Sequence, residues 1–156
     1  MSPQTLSFYR TAHPFSNFHP SVFVEEGVTS RWAEQYLMAR KARLFGDKAT
    51  LAQILAAATP AECKALGRRV TPYDEVWARE RFAVALDMLR LKFGQNARLR
   101  AELLATGGAE LVEASPTDRI WGIGFSETQA EGARQAWGQN LLGLALMAVR
   151  AELQPA

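Results

Sequence analysis

Trp32-Ala33-Glu34-Gln35-Tyr36-Leu37-Met38-Ala39-Arg40-Lys41-Ala42-Arg43-Leu44-Phe45 is the stretch on which the fold turns. Its apolar and small residues, Trp32, Tyr36, Leu37, Ala39, Ala42, Leu44 and Phe45, are spaced as a helix largely surrounded by protein. Most of its residues favour helix, and Gly46 with Asp47 supplies a stop. Against that apolar background Glu34 and Lys41 stand seven residues apart. That spacing returns to nearly the same helix face, with a drift of about 20°. At about 1.5 Å rise per residue the two backbones lie roughly 10 Å apart. Helical side chains lean toward the N-terminus, so the Lys41 arm reaches back toward Glu34. Two readings stand: a solvated edge of an amphipathic helix, or an acid and an amine that bracket something the size of a sugar ring.

Working outward, the 156-residue chain suits one domain, residues 1–156, with one substantial core. Hydrophobic residues make up 48% and charged residues 22%, a soluble globular balance. A net charge of +2 announces neither a nucleic-acid stripe nor a polybasic membrane patch. Arg outnumbers Lys 14 to 4 among the 18 basic residues, which leaves guanidinium forks available for phosphate. Cys63 is the lone cysteine, so no internal disulfide forms and the expected compartment is cytoplasmic. With one Cys and two His, His13 and His19, there is no zinc pattern. No apolar leader opens the chain, and no run approaches the roughly 18 apolar residues of a membrane span.

In chain order, residues 6–25 read as extended or irregular, with Pro14 and Pro20 steering their neighbours away from helix. Ser21 to Glu25 alternates as a short strand, and Gly27 turns the chain toward the opening helix. In Phe15-Ser16-Asn17-Phe18 two aromatics flank a polar pair. Either both rings pin a loop, or Asn17 offers an amide and Phe18 a stacking face to a planar ligand. Asp47 caps a helix over 48–58, and Thr59-Pro60-Ala61-Glu62 is a capping box for a short helix ending near Gly67. Arg68 and Arg69 follow, either complementing the helix dipole or meeting a ligand anion. Pro72 and Asp74 open the longest helix, about 74–93, with Trp77 in its first turn as a core residue or a ring reaching into a cleft. Asn96 caps a helix to Thr106, closed by Gly107-Gly108. Residues 109–114 suit a strand or one helical turn. Ser115 to Phe125 has the Pro, Gly and aromatic content of a tight loop whose backbone approaches a ligand. Residues 126–137 read as a polar connection, and a final helix runs from 139 or 140 to about 153. The expected architecture is mainly α, six or seven helices with minor short β-strands.

Several segments together resemble the NADAR, or YbiA-like, N-glycosidase family: FYR at 8–10, FSNF at 15–18, EQYLMARKARLF at 34–45, GRRV at 67–70, Trp77, KFGQN at 92–96, LLATG at 103–107, LVEASPTDRIWGIG at 111–124 and NLLGLALMAVR at 140–150. The resemblance covers nearly the whole chain, and ASPTDRIWGIG with an upstream EQYLMARKA is its specific part. It implies hydrolysis of the bond between a ribose and a base nitrogen, with no metal and no cofactor. It implies small-molecule substrates of two classes: phosphorylated ribosylamino-pyrimidine intermediates of riboflavin biosynthesis, and ADP-ribose attached to guanine, including ADP-ribosylated nucleic acid. The family's functional acid corresponds to Glu34, and its lysine, aromatic and aspartate positions to Lys41, Trp77 and Asp118, with Trp121 beside the last. Gln35 stands where many relatives have His, so any role of that ring is absent here. The resemblance suggests a Schiff base between Lys41 and an opened ribose.

The chemistry of these residue types agrees. Breaking a ribosyl C–N bond builds positive charge on C1′ and the ring oxygen, which a nearby carboxylate stabilises. The same carboxylate accepts a proton from water or a ribose hydroxyl. A buried lysine between Arg40 and Arg43 is expected to favour its neutral, nucleophilic form. Trp77 or Trp121 can stack on a base, Arg10 or Arg68 can bind phosphate, and Gly122 lets backbone N–H groups approach ligand oxygens. The alternative is a non-catalytic ADP-ribose or nucleotide-binding module, which would keep the Arg and Trp contacts without pairing Glu34 and Lys41.

Overall fold

The structure, a computed structural model, describes residues 4–70 and 74–155. In chain order the elements are β1 (Thr5–Phe8), β2 (Pro20–Glu25), β3 (Val28–Trp32), α1 (Ala33–Leu44), α2 (Lys48–Ala56), α3 (Pro60–Gly67), α4 (Asp74–Gln95), α5 (Ala97–Ala105), β4 (Glu110–Glu113), α6 (Glu127–Ala130), a 3-10 helix (Glu131–Ala136) and α7 (Leu141–Leu153). The mainly helical expectation holds, with four short strands in two pairs. The Pro72 part of the α4 start signal lies outside the described residues. Among the described residues no helix is long and apolar enough to cross a membrane. The chain forms two compact units, one of Asn17–Asn96 and one joining the residues up to Ser16 with Ala97 onward.

In the Asn17–Asn96 unit, α1 is the hub: β3, α2, α3 and α4 all pack on it. Its residues from Ala33 to Ala39, and Ala42, are buried. The helix starts one residue later than its apolar spacing suggests, because Trp32 is extended and closes β3. Gly27 does not lead into the helix. Glu26 and Gly27 both take positive φ, 50° and 80°, and the chain folds back as an antiparallel hairpin with Glu25 opposite Val28. Two such residues in succession suit the right-handed twist of the strands. The outer edge of β2 is covered by side chains from the end of α4. Gln95 Oε1 accepts Val24 N–H and its Nε2 donates to Val24 O, each at 2.8 Å, and Asn96 Nδ2 donates to Val22 O at 3.0 Å.

The Asp47 and Thr59 caps read from sequence form, whereas the Asn96 amide donates to Val22 O and Lys92 O. Asp47 Oδ1 accepts Thr50 N–H at 3.0 Å, a bond that draws its carboxyl below the ordinary range. Thr59 Oγ1 accepts Glu62 N–H at 3.1 Å, while Glu62 reaches back to Ala58 N–H rather than to Thr59. Gly67 ends α3 for a packing reason: a Cβ there would lie 1.9 Å from Met38 Sδ and 2.8 Å from its Cγ. Gly67→Ala is therefore expected to destabilise the protein by about 1–3 kcal/mol. A denaturation double-mutant cycle with Met38→Ala checks this, since the penalty should largely vanish in the truncated background.

Lys92, on α4, is 0% exposed, and desolvation pushes its ammonium down to about 7. Its folded-state value lies below the unfolded one of about 10.4, so between the two the unfolded chain binds more protons. Stability should rise as pH climbs from about 7 toward about 10 and be lowest below 7. Denaturant midpoints across pH 7–9.5 should show this slope in the native chain and lose it in Lys92→Met.

In the second unit β1 and β4 pair in parallel, Thr5 opposite Glu110, and α7 packs on β4. Residues 109–114 thus resolve as strand. Residues 126–137 are a short helix and a 3-10 turn rather than a loose connection. Arg134 bonds both Glu110 oxygens, at 2.9 and 3.2 Å, and lies 4.2 Å over the Trp137 ring, whose Nε1 donates to Ala130 O. The hydrogen bonds from Arg134, helped by its charge, hold the Glu110 carboxyl below its ordinary range. Trp137 and Phe125 then pack against buried Val112, Ile123 and Ala130.

Candidate active site

Glu34 sits in the first turn of α1 and is 7% exposed, among neighbours buried on every side. Its backbone N–H donates to Asn17 O at 3.0 Å, which fastens the FSNF loop to the start of the helix. Asn17 is buried, and its Oδ1 is a sealed acceptor with no hydrogen-bond partner among the described residues. Phe18 is half-buried with Lys64 Nζ 5.9 Å from its ring centroid, whereas Phe15 is fully buried. One ring of the pair therefore anchors the loop and the other is partly presented. The charge of Glu34 also reaches Cys63: burial, then the fields of Glu34 and Glu62, push that thiol up to about 11. Cys63 is an inert core thiol at neutral pH.

Lys41 lies seven residues along α1, half-buried, with its Nζ 5.9 Å from the centroid of the Trp77 ring. The structure thus brings together two candidates 36 positions apart in sequence. Trp77 is 6% exposed, so most of the ring is core while one face meets the ammonium. The arginines beside Lys41 act differently from the sequence expectation. Arg40 is bonded to Asp87 at 3.0 Å and to Tyr36 Oη at 2.6 Å, so a carboxylate offsets its charge, and Arg43 is exposed. Arg68, at the C-cap of α3, is exposed.

Gln35 is committed to backbone. Its Oε1 accepts Arg31 N–H at 2.8 Å, and its Nε2 donates to Ile54 O and Leu55 O at 3.1 and 3.4 Å. It satisfies carbonyls that the last turn of α2 leaves open, a structural task.

The remaining candidates belong to the other unit. Asp118 Oδ1 accepts Ile120 N–H and Trp121 N–H, both at 2.9 Å, folding the loop into a tight turn. Trp121 is half-buried and Gly122 buried. A Cβ on Gly122 would lie 2.7 Å from Glu113 O and 3.0 Å from Asp118 O, so the missing side chain makes room for the protein's own carbonyls. Arg10 is exposed beyond β1.

Asn140 is a residue whose importance sequence reading missed. Backbone hydrogen bonds join the loop to the entry of α7: Gln139, Asn140, Leu141 and Leu142 N–H groups donate to the carbonyls of Arg119, Gly122, Ile120 and Trp121. Asn140 makes this possible by adopting φ 51°, ψ 41°, and its buried amide accepts Glu113 N–H and donates to Leu111 O, each at 3.0 Å. One residue therefore ties β4, through its side chain, and the 118–122 loop, through its backbone N–H, to the start of α7. Its readable signal was an Asn just before the helix, a type tolerant of left-handed backbone.

The NADAR domain family model matches residues 7–154. The chain belongs to the NADAR family. Among NADAR relatives, an N-glycosidase of Acanthamoeba polyphaga mimivirus is 42% identical over 150 residues, covering 91% of this chain and 88% of that protein. The Escherichia coli N-glycosidase YbiA is 34% identical over 157 residues, covering 98% and 91%. The NMR structure of E. coli YbiA superposes with a TM-score of 0.80 over 98% of this chain and 86% of that one. The NADAR fold is therefore common to both. Among the described residues no group of three or more His, Cys, Asp or Glu has the arrangement to hold a metal ion.

Proposed function

We propose that the chain is an N-glycosidase that hydrolyses the bond between a ribose and a base nitrogen without metal. The observation that carries this reading is Glu34, a carboxylate kept 7% exposed at the head of α1 in a chain whose relatives bear the name N-glycosidase. As the C–N bond lengthens, positive charge grows on C1′ and the ring oxygen, and Glu34 stabilises it. The carboxylate also removes a proton from water as that oxygen bonds to C1′; the base leaves with the C–N electron pair, and the proton taken up by the carboxyl is passed on to its nitrogen. Lys41, steadied by the Trp77 face, lines the same helix. Asn17, Phe18 and Arg68 are proposed as further substrate contacts in the Asn17–Asn96 unit; of the other unit, Asp118 is proposed as a catalytic residue and Arg10, Trp121 and Gly122 as substrate-binding residues.

The proposed substrates are phosphorylated ribosylamino-pyrimidines of riboflavin biosynthesis or ADP-ribosyl guanine, in a cytoplasmic setting that a chain with a single cysteine suits. Incubation with both classes tests the reading: free base should appear with ribose phosphate or ADP-ribose. Release of neither product from either class overturns it. Turnover should survive a chelator; loss restored only by a divalent ion overturns the metal-free part.

If Lys41 attacks C1′ of the opened ribose, an imine links the two during turnover. Borohydride should then fix a sugar on the protein, with the added mass mapping to Lys41. Lys41→Arg keeps the charge but cannot form the imine, because guanidinium stays protonated. A fully active Lys41→Arg enzyme rules out the covalent route and leaves Lys41 an electrostatic role.

A further inference from the structure

Along its whole length α7 carries no polar side chain except Arg150 and Glu152. Arg150 is turned inward: it is buried, and its Nη1 donates to Thr106 Oγ1 at 2.9 Å. A helix apolar on every side is normally enclosed on every side. This one is not. Leu142, Gly143, Ala145, Leu146 and Val149 are buried, and β4 and α5 pack on the helix. The other face is open. Leu144 is 46% exposed, Ala148 and Ala151 are exposed, and Leu141 and Met147 are half-buried. Ile120, 38% exposed, continues this strip past the start of the helix, where its carbonyl accepts Leu141 N–H.

The open positions have the spacing of a helix-pairing seam. Leu141, Leu144, Ala148 and Ala151 follow one another at steps of three, four and three residues. At about 100° per residue, Leu144, Ala148 and Ala151 fall within an arc of about 60°. The side chains on the seam say which helix it fits. Its first half is bulky, with Ile120, Leu141 and Leu144, and its second half is flat, with Ala148 and Ala151. A parallel copy would set leucine against leucine and leave alanine facing alanine across a gap. An antiparallel copy, with the two-fold axis near Met147 and Ala148, seats each bulky half in the flat half of its partner. The charges agree. Exposed Arg119 stands at the entry of α7, where its carbonyl accepts Gln139 N–H, and exposed Glu152 ends the ridge that runs through Leu144 and Ala148. An acid in the last turn opposes its own helix dipole but complements the N-terminus of an antiparallel neighbour. We infer that α7 pairs antiparallel with α7 of a second copy of this chain, forming a two-fold symmetric dimer. A foreign apolar helix would cover the strip but leave the match between its own two halves, and between its two ends, unexplained.

A strip one helix long makes a small interface, so the dimer should be a weak one. Sedimentation equilibrium of the full chain from about 1 μM to about 1 mM should show the 17.3 kDa mass passing toward twice that value. A chain that stays at its monomer mass throughout overturns the inference. Leu144→Glu should hold the protein monomeric over the whole range. Val22→Glu, on the exposed face of β2, should leave the association unchanged. Both side chains are exposed, so melting curves of dilute protein should match the native chain. A dimer that persists in Leu144→Glu, or that is lost only in Val22→Glu, overturns the inference by placing the contact elsewhere. The antiparallel arrangement is read from charge. Raising NaCl from about 20 to about 500 mM should weaken the native dimer, and Glu152→Arg should weaken it by about 5-fold or more at low salt. A dimer strengthened by salt, or as tight in Glu152→Arg as in the native chain, refutes that arrangement and the inference with it. Mass is measured without turnover, so the outcome is independent of the N-glycosidase reading.

Discussion

Glu34→Gln should keep its melting temperature and lose turnover by ~10²-fold or more. The amide has the size and shape of the acid, so packing at the head of α1 is preserved, and the Glu34 N–H bond to Asn17 O involves only backbone. What disappears is the negative charge and the proton acceptor. In a site largely closed to water, a fixed charge facing a developing cation is worth far more than in solution. Kinetics with the native substrate, beside a thermal melt, separate the outcomes. Equal activity in the Gln variant returns Glu34 to the role of a structural charge. A large fall in melting temperature would show that its buried carboxylate is held by protein partners rather than kept for chemistry.

The largest stability effect is expected at Asn140. Asn140→Ala removes an acceptor from Glu113 N–H and a donor from Leu111 O, both in buried surroundings, and imposes left-handed backbone on a residue that resists it. Each orphaned buried group costs about 1–3 kcal/mol, and the backbone adds about 1. A loss of roughly 3 kcal/mol or more corresponds to a fall in Tm on the order of 6–12 °C for a chain of this size. Asn140→Gly separates the two contributions, since glycine takes the same φ without strain. It should recover the backbone part and remain destabilised by about 2 kcal/mol. Gly143 offers no relief, because any Cβ there would meet Leu111 O and the Asn140 amide.

Helices were legible where their signals are local. The apolar spacing of Tyr36, Leu37, Ala39 and Ala42 marks α1, and Asp47 and Thr59 cap their helices with their own side chains. The strand Val28–Trp32 was not legible, because Thr29, Ser30 and Arg31 blur its alternation and its partner is supplied by the hairpin. The 127–136 turns depend on Arg134 finding Glu110, 24 residues away, which no window of sequence displays. At the candidate site, Glu34 stood out as an acid in an apolar helix. The approach of Lys41 to Trp77 needed α4 to pack on α1. Gln35 and Asn140 were hidden for one reason: amides satisfy distant backbone groups, and nothing in their neighbours along the chain says which.

The Gln95 amide that mirrors Val24 has a consequence for crowded solutions of many copies. Val22 and Val24 are 57% and 43% exposed on a strand whose outer border would otherwise present open N–H and C=O groups. Such a border recruits strands from neighbouring molecules and seeds fibrils. Here an α4 side chain plays the part of the next strand, and because it ends after one amide it offers nothing further to extend. The hairpin is terminated by imitation, which lets two valines face water without becoming a template.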